Sequence, residues 1–502
     1  MKRTQRGISA LALTLGLMGA AAPVPAQNGP AIDTATLPSA DSPLVSVRLM
    51  FDVGSIHDPK GKEGLAALTA LMVGQGGTRK RSYSDLIDAL YPMAATITPD
   101  TDREVSVFYG TVHRDELDGF TALFEEALLQ PAFTESDFTR NKEELVAYLT
   151  NTLRSSDELL GLEAIQQAVF AGHPYEHSPA GTVAGLESIT LEDVRRFYQE
   201  HYTRANLMLG VAGGYPDDYV ARLQKAFAAL PAGAPGRTPL PPAPQVQGRR
   251  FQLLEKETNS VGIHLGYPLA VTRADADYYP LLVINSYLGE HRTSHGRLMQ
   301  ELREYRGLNY GDYSYIEYWP DPPLTDHPSP GVPRRQQYFS VWLRPVMPAD
   351  AQFALRAALH EIQKLREAGM TQEDFELTRE FLTHYSKLWA QSQEDRLGVL
   401  MDSKLYGTPY FIDEIEARLR KLTLDDVNRV LRKYLQTDNY VVVMVTGKAQ
   451  QLAETLRQDE PSPKTYNAEV KPAILEDDKK LVGLKVRPTD VQIVPVSQVF
   501  QK

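Results

Sequence analysis

Cysteine is absent from all 502 residues of the chain, and its absence excludes several kinds of chemistry. Without it the chain has no disulfide bridge, no thiolate nucleophile and no thiolate metal ligand. Signatures of other enzyme classes are missing too: there is no G-x-S-x-G nucleophile elbow, no P-loop and no dinucleotide-binding glycine fingerprint. The hydrophobic fraction of 42% is that of an ordinary globular protein. Stability must therefore come from core packing and not from disulfides, and any enzymatic site must use chemistry other than that of these excluded classes.

Long apolar runs are also missing, except near the amino terminus. Three basic residues, Lys2, Arg3 and Arg6, precede an apolar run over residues 8–22, and small residues at 24–26 form a cleavage motif before Gln27. This order is typical of a secretory signal peptide. We therefore expect an exported, periplasmic protein from which residues 1–26 are removed.

Positive charge is scarce relative to negative charge, with a net charge of −11 at pH 7. The predicted signal peptide contains basic residues and no acidic ones, so the mature chain is expected to be more acidic still. An acidic surface repels phosphates. Nucleic acid and anionic lipid are therefore not expected as main partners, and no membrane span is expected after signal removal.

What is present is an internal repeat. Residues Leu191–Val194 match Leu424–Val427 at an offset of 233, and Thr134–Phe138 match Thr371–Phe375 at an offset of 237. Strand and helix patterns are mixed in each half without strict βαβ alternation. The sequence therefore predicts an α+β fold with two homologous halves, each a mostly antiparallel sheet covered by helices in a clam-like arrangement.

A proline-rich stretch, residues 230–250, separates the halves; it holds six prolines and is typical of a linker. Beyond about residue 460 helical periodicity weakens, which favours an extended tail that wraps a domain surface or reaches a partner. The predicted organisation is a signal peptide (1–26), a flexible leader (27–42), an N-terminal domain (43–229), the linker (230–250), a C-terminal domain (251–460) and the tail (461–502).

One short segment of the second half combines a helix with a tyrosine-rich strand. Apolar residues at 298, 302 and 305 predict a helix over 297–305, with Arg303 off the apolar stripe. Gly307 is placed to end this helix, and Tyr310 begins the strand. The pattern by itself indicates a helix with an exposed arginine beside a half-buried strand.

Three segments resemble the pitrilysin/insulinase family of zinc peptidases, and the resemblance extends over about residues 40–460. The three segments are Val53–Pro59 with the following Gly64-Leu65-Ala66, His173-Pro174-Tyr175 with Gly181-Thr182 and Leu191–Val194, and Gly296–Tyr310. The family binds zinc through an inverted H-x-x-E-H motif on one helix and a glutamate on a later helix. In its catalytic members the zinc-bound water attacks the peptide bond.

This chain departs from the family at the zinc motif. The histidine positions hold Ala67 and Leu71, the position of the base holds Ala70, and the later glutamate aligns with Tyr148. Alkyl groups offer no electron pair to a metal. We therefore expect no metal ligand and no metal-dependent catalytic residue in this chain, and we expect zinc in a partner.

The resemblance also implies a role for Arg303 and Tyr310, which match an arginine–tyrosine pair that holds substrate in the family. Arg306 is a second-ranked alternative because its spacing to Tyr310 differs. The leading hypothesis is a non-catalytic, substrate-binding subunit of a heterodimeric zinc metallopeptidase that degrades oligopeptides or unfolded peptides. Enzymatic activity is then expected only with a homologous zinc-bearing partner. The alternative is a pseudoenzyme that binds peptides or serves as a scaffold in the cell envelope.

Several histidines are candidate metal ligands. His291 and His295 have the i, i+4 spacing of a ligand pair but lack an obvious third ligand, so a loop role is favoured. His173 and His177 flank a proline, which favours a structural turn, and a loop contact is expected for His57.

Overall fold

The computed structural model describes residues 31–234, 236–319 and 330–502. The predicted signal peptide lies outside these residues. Among the described helices, none combines the length and the apolar character needed to traverse a bilayer.

The first half forms one five-stranded sheet with the strand order β1-β5-β2-β4-β3. All neighbouring strands are antiparallel except β1 and β5. The strands are β1 (Asp33–Pro38), β2 (Leu44–Phe51), β3 (Thr98–Thr101), β4 (Ser106–His113) and β5 (Leu207–Gly213). The helices are α1 (Leu65–Gly74), α2 (Tyr83–Leu90), α3 (Leu117–Leu129), α4 (Glu135–Ala147), which continues as a π-helical turn (Tyr148–Leu153), α5 (Asp157–Val169), α6 (Val183–Ser188), α7 (Leu191–His201) and α8 (Tyr219–Phe227).

The second half forms a six-stranded sheet with the order β11-β6-β10-β7-β9-β8, in which β6 runs parallel to both its neighbours. The strands are β6 (Arg249–Glu255), β7 (Val261–Leu269), β8 (Gly311–Tyr315), β9 (Gln337–Val346), β10 (Tyr440–Thr446) and β11 (Asp490–Pro495). The helices are α9 (Tyr278–Gly289), a π-helical segment (Met299–Glu304), α10 (Ala351–Ala368), α11 (Gln372–Tyr385), α12 (Gln393–Tyr406), α13 (Phe411–Lys421), α14 (Leu424–Tyr434), α15 (Ala449–Gln458) and α16 (Pro472–Val482). The predicted α+β fold of two sheets covered by helices is confirmed.

The two halves exchange one helix each. Helix α5 of the first half packs on β7 and β10, and α12 of the second half packs on β1, β2 and β5. The close approach of α5 requires Gly161, because a Cβ atom there would lie 2.2 Å from Nε2 of His264. The halves are therefore joined by reciprocal packing as well as by the linker.

The leader is not loose over its whole length. Residues 33–38 form β1, which pairs in parallel with β5. Asp33 lies opposite Met208 at one end of the pairing, and Pro38 lies opposite Gly213 at the other. The prediction of a flexible leader over 27–42 is wrong for this strand. Its polar and proline-containing sequence gives little strand signal, yet it forms a short edge strand in which Ala35 is buried against the sheet.

The tail after residue 460 is also more structured than predicted. It contains α16, and β11 extends the second sheet by pairing with β6. It then crosses to the first half, where Val499 and Phe500 are buried and Arg154 donates hydrogen bonds to the Val499 carbonyl. The expectation of an extended tail is wrong at α16, where proline at the first helical position is compatible with a helix start.

The linker has no regular secondary structure at its described residues between Leu230 and Gly248, but β6 begins inside its predicted range. Arg237 forms ion pairs with Asp52 and Glu104, and Thr238 contacts His57. The linker is therefore fastened to the first half.

Candidate functional site

Helix α1 is the element that matches the zinc helix of the family. Its first turn is capped by Asp58, whose carboxylate accepts hydrogen bonds from the backbone N–H groups of Gly64 and Ala66, both at 2.7 Å. His177 contacts the same carboxylate at 3.1 Å. The segment that resembles the family's entry into the zinc helix therefore has a structural role that does not require a metal.

The four positions that match the zinc motif face one cavity. Ala67, Ala70, Leu71 and Tyr148 all line a space of about 440 Å³, which Tyr318 of the second half also borders. The sequence alignment of Tyr148 with the family's later glutamate is therefore geometrically reasonable. The side chains of the α1 positions are hydrocarbon only, so these residues do not fit a zinc ion.

Two of the carboxylates that line this cavity, those of Asp102 and Glu163, are held by arginines. Asp102 accepts two hydrogen bonds from Arg334 of the second half, at 2.6 and 2.5 Å, and Glu163 accepts one from Arg103 at 2.9 Å. Burial acts to raise the pKa of Asp102, but the Arg334 guanidinium holds it below its ordinary value. These two carboxylates therefore form ion pairs with structural arginines and are not free to act as metal ligands.

The predicted pair in the second half lies at the surface. Arg303 is on the π-helical segment, Gly307 reverses the chain with φ of 59°, and Tyr310 lies just before β8. The guanidinium carbon of Arg303 is 4.7 Å from the ring centroid of Tyr310. Tyr310 is 63% exposed, so the structure brings the two residues together with their polar groups open to solvent.

The donors of this pair are available to a ligand. The carboxylate nearest Arg303 in the described part of the chain is that of Glu304, at 3.7 Å from Nε, which is a loose surface contact. A guanidinium offers up to five N–H donors and a phenol offers one O–H donor. Together they can bind a carbonyl oxygen, and they bind it more strongly as it gains negative charge.

A buried carboxyl group behind the pair was not anticipated from the sequence. Asp312 of β8 is fully buried and accepts a hydrogen bond from the Asn309 side chain. Burial raises the pKa of Asp312 to about 8, against the opposing effects of Asn309 and Arg303. The group is therefore mostly protonated at neutral pH. Nothing in the pattern of this tyrosine-rich strand marks Asp312 as buried.

Arg306, the second-ranked arginine, has a different environment. Its guanidinium is buried and forms ion pairs with Glu301, Asp477 and Asp478. Arg303 is therefore the arginine that presents free donors beside Tyr310.

The histidine candidates do not form a metal site. His291 is buried and contacts the hydroxyl of Tyr315 at 2.8 Å, whereas His295 is exposed and borders a separate cavity. His173 lies in a turn and contacts the Pro241 carbonyl at 3.1 Å. Within the described ranges, one group of side chains has ligand atoms close enough for a metal: His360, Glu361 and Asp477. Arginine and lysine side chains already pair with its two acids.

Family models match most of the folded chain. Residues 34–183 match the insulinase model (peptidase family M16), and residues 188–382 match the model described as the peptidase M16 inactive domain. The first range contains α1, and the second contains Arg303 and Tyr310.

Individual relatives agree with the family models. An uncharacterised zinc protease of Streptomyces coelicolor is 24% identical over 81% of this chain and 86% of its own length. A non-peptidase homolog of Helicobacter pylori is 22% identical over 81% of this chain and 90% of its own length. Subunit 1 of the mitochondrial cytochrome b-c1 complex of Caenorhabditis elegans is 21% identical over 80% of this chain and 84% of its own length.

A solved structure shows the same fold. The peptidase M16 inactive domain from Pseudomonas fluorescens superposes with a TM-score of 0.72 and 21% identity, covering 83% of this chain and 97% of that one. The chain therefore belongs to the insulinase, or pitrilysin, family (peptidase family M16), as an inactive member in which apolar residues replace the zinc-binding motif.

Proposed function

We propose that this chain is the substrate-binding subunit of a heteromeric zinc peptidase that acts on oligopeptides or unfolded peptides. A homologous partner with an intact H-x-x-E-H motif supplies zinc, the glutamate base and the attacking water. The observation that carries the proposal is the contrast between α1, whose zinc-motif positions hold only alkyl side chains, and an exposed Arg303–Tyr310 pair with free donors.

The chemistry of the pair suits the attack of water on a peptide carbonyl. As the tetrahedral intermediate forms, its oxygen gains negative charge and accepts hydrogen bonds from Arg303 and Tyr310. The donors are fixed side by side before substrate arrives, which favours the charged transition state over the neutral substrate. Removing one such donor typically costs a factor of about 10² to 10³ in rate.

The surface around the pair favours a partner protein. Tyr305 and Tyr310, which both follow Arg303 in the sequence, are exposed at 39% and 63%. Tyrosine and arginine are enriched at the energetic centres of protein interfaces. A family relative of similar length is named as a subunit of a complex, which is consistent with a heteromeric assembly.

The signal-like segment at residues 1–26 extends the proposal to the compartment. We place the complex outside the cytoplasm, in the periplasm of a bacterium with two membranes. Cleavage of the chain before Gln27 in the exported protein, detected by amino-terminal sequencing, tests this part.

The test of function uses the mature chain purified with a zinc-bearing family member from the same genome. Hydrolysis of an unstructured peptide is measured for the unmodified complex and for Arg303→Ala and Tyr310→Phe. Arg432→Ala, at an exposed residue of α14, and Tyr91→Phe, at an exposed tyrosine of the first half, are the matched controls. We expect the two site variants to lose activity about 10²-fold or more while the controls retain it. Equal rates for all variants would refute the assigned roles.

The second candidate is a pseudoenzyme that binds peptides or organises a complex in the cell envelope. The specific observation in its favour is the relative named as a non-peptidase homolog. Size-exclusion chromatography of co-expressed chains separates the two candidates. A stable 1:1 complex with a zinc-bearing homologue supports the first, and a chain that binds peptides but never that homologue supports the second.

A further inference from the structure

Helix α16 of the tail contacts the base of the turn that carries Arg303 and Tyr310. The contact is made through Arg306, whose Nε donates to Asp478 at 2.8 Å and whose Nη2 donates to Asp477 at 3.0 Å. The Arg306 side chain is 1% exposed, so these ion pairs are shielded from solvent. They join two segments more than 170 residues apart in sequence.

The other side of the Arg306 guanidinium holds the π-helical segment. Its Nη1 donates to the Glu301 backbone carbonyl at 2.9 Å and to the Glu301 carboxylate at 2.8 Å. Carbonyl groups at the end of a helix lack intrahelical partners, and here a side chain supplies one. Arg306 therefore caps the helical segment that bears Arg303.

Further polar side chains surround this contact. The Tyr466 hydroxyl donates to Asp478, and His360 and Lys480 lie near Asp477 at 3.6 and 3.5 Å. Burial acts to lower the pKa of Arg306, but Asp478 and Glu301 raise it above its ordinary value. The guanidinium is consequently charged whenever the carboxylates are.

Helix α16 is itself a fixed support. Before it, the buried Arg356 pairs with Asp459 and donates to the Glu460 carbonyl. After it, β11 is hydrogen-bonded to β6. The tail is thus anchored on both sides of the contact with Arg306.

We propose that Arg306, Asp477 and Asp478 form a positioning clamp through which the carboxyl-terminal tail holds Arg303 and Tyr310 together. The clamp residues do not touch substrate. They fix the helix end at Glu301 and the turn at Gly307, whose N–H bonds to the Arg303 carbonyl at 2.8 Å. The catalytic consequence of the clamp rests on the proposed function, but its effect on the turn does not. The tail lies beyond residue 382, where the match to the family models ends.

The first test is amide hydrogen exchange on the isolated full chain. The variant Asp478→Asn keeps the size of the side chain but weakens the pair with Arg306. Glu163→Gln is the matched control, because it weakens another buried arginine–carboxylate pair, with Arg103, that lies in the first half, away from the tail and from residues 299–310. We expect exchange over residues 303–310 to accelerate on the order of tenfold in Asp478→Asn and to remain unchanged in Glu163→Gln.

Unchanged exchange over 303–310 in Asp478→Asn would overturn the clamp, as would equal acceleration in the control. Should Asp478→Asn fail to fold, Arg306→Lys takes its place. Lysine keeps the charge but lacks the planar fork that bonds two acids and a carbonyl together, so the same acceleration is expected. A lysine variant with the exchange of the unmodified chain would refute the proposal.

The second test uses the complex with a zinc-bearing partner. We expect Asp478→Asn to lower kcat with little change in KM, because misplaced donors weaken binding of the transition state more than that of substrate. A lowered stability without a kcat effect would mean that Arg306 is structural only. If the unmodified complex shows no peptidase activity, the proposed function fails, and the exchange measurement still decides the clamp.

Discussion

The α1 cavity of the first half and the Arg303–Tyr310 turn of the second half have opposite properties. The cavity is bordered by a capped helix, but the side chains at its zinc-motif positions on α1, Ala67, Ala70 and Leu71, are alkyl groups. The turn keeps charged and polar donors, and they are exposed. A fold can therefore lose the residues of one site while the scaffold around both persists, because packing and chemistry depend on different atoms.

Restoring the metal motif tests whether the α1 cavity differs from a zinc site only in its side chains, and it has the largest expected effect. The combined change Ala67→His, Ala70→Glu, Leu71→His and Tyr148→Glu places two imidazoles and two carboxylates around one space. Because the four positions line one cavity, we expect about one equivalent of tightly held zinc, measured by elemental analysis of the purified protein. The control retains Leu71, which removes one ligand, and should hold much less. A folded fourfold variant without zinc would show that the cavity no longer has the geometry of a metal site.

A second prediction concerns the acids beside the cavity. Asp102→Asn leaves the buried Arg334 without its charge partner, so we expect a loss of about 3–5 kcal/mol in the free energy of unfolding. Denaturant unfolding measures it. Asp118→Asn breaks an exposed pair with Arg222 and should cost less than about 1 kcal/mol. Similar small losses of unfolding free energy in both variants would mean that the Asp102–Arg334 pair does not stabilise the contact between the two halves.

A third and smaller effect tests the turn's surroundings. Asp312 has a folded-state pKa of about 8, well above that of an unfolded aspartate. The unfolded chain therefore loses this proton at lower pH than the folded one, and the group's stabilising contribution falls as pH rises from about 4 to 8. We expect Asp312→Asn to raise the free energy of unfolding at pH 8 by about 1 kcal/mol or more relative to the unmodified chain, with a smaller difference at pH 5. Thermal unfolding at both pH values measures this, and a difference independent of pH would contradict it.

Short-range sequence patterns predict much of the local structure. The capped helix starts at Thr134 and Thr190, the apolar α1 and the helix end before Gly307 are all visible as short-range signals in the sequence. The repeat offset indicated two related halves. The adjacency of Arg303 and Tyr310 followed from their place on a helix and the next strand, together with the family resemblance.

Long-range features were not accessible in the same way. Strand β1 and helix α16 are stabilised by partners far away in sequence, β5 and Arg306, and their own residues give weak signals. The exchange of α5 and α12 between halves depends on complementary surfaces such as Gly161 against His264. The burial of Asp312 likewise depends on the three-dimensional surroundings of its strand and not on its position in the strand pattern.

A titration decides whether this chain contributes donors to a metal site on another chain. A fixed amount of a zinc-bearing homologue receives increasing amounts of the unmodified chain or of Arg303→Ala, and both complex formation and peptide hydrolysis are followed. We expect both chains to form the complex, activity with the unmodified chain to saturate at equal amounts of the two proteins, and the Arg303→Ala complex to hydrolyse the peptide about 10²-fold more slowly or slower still. Equal activity of the two complexes, or full activity of the homologue alone, would refute the donor role of this chain.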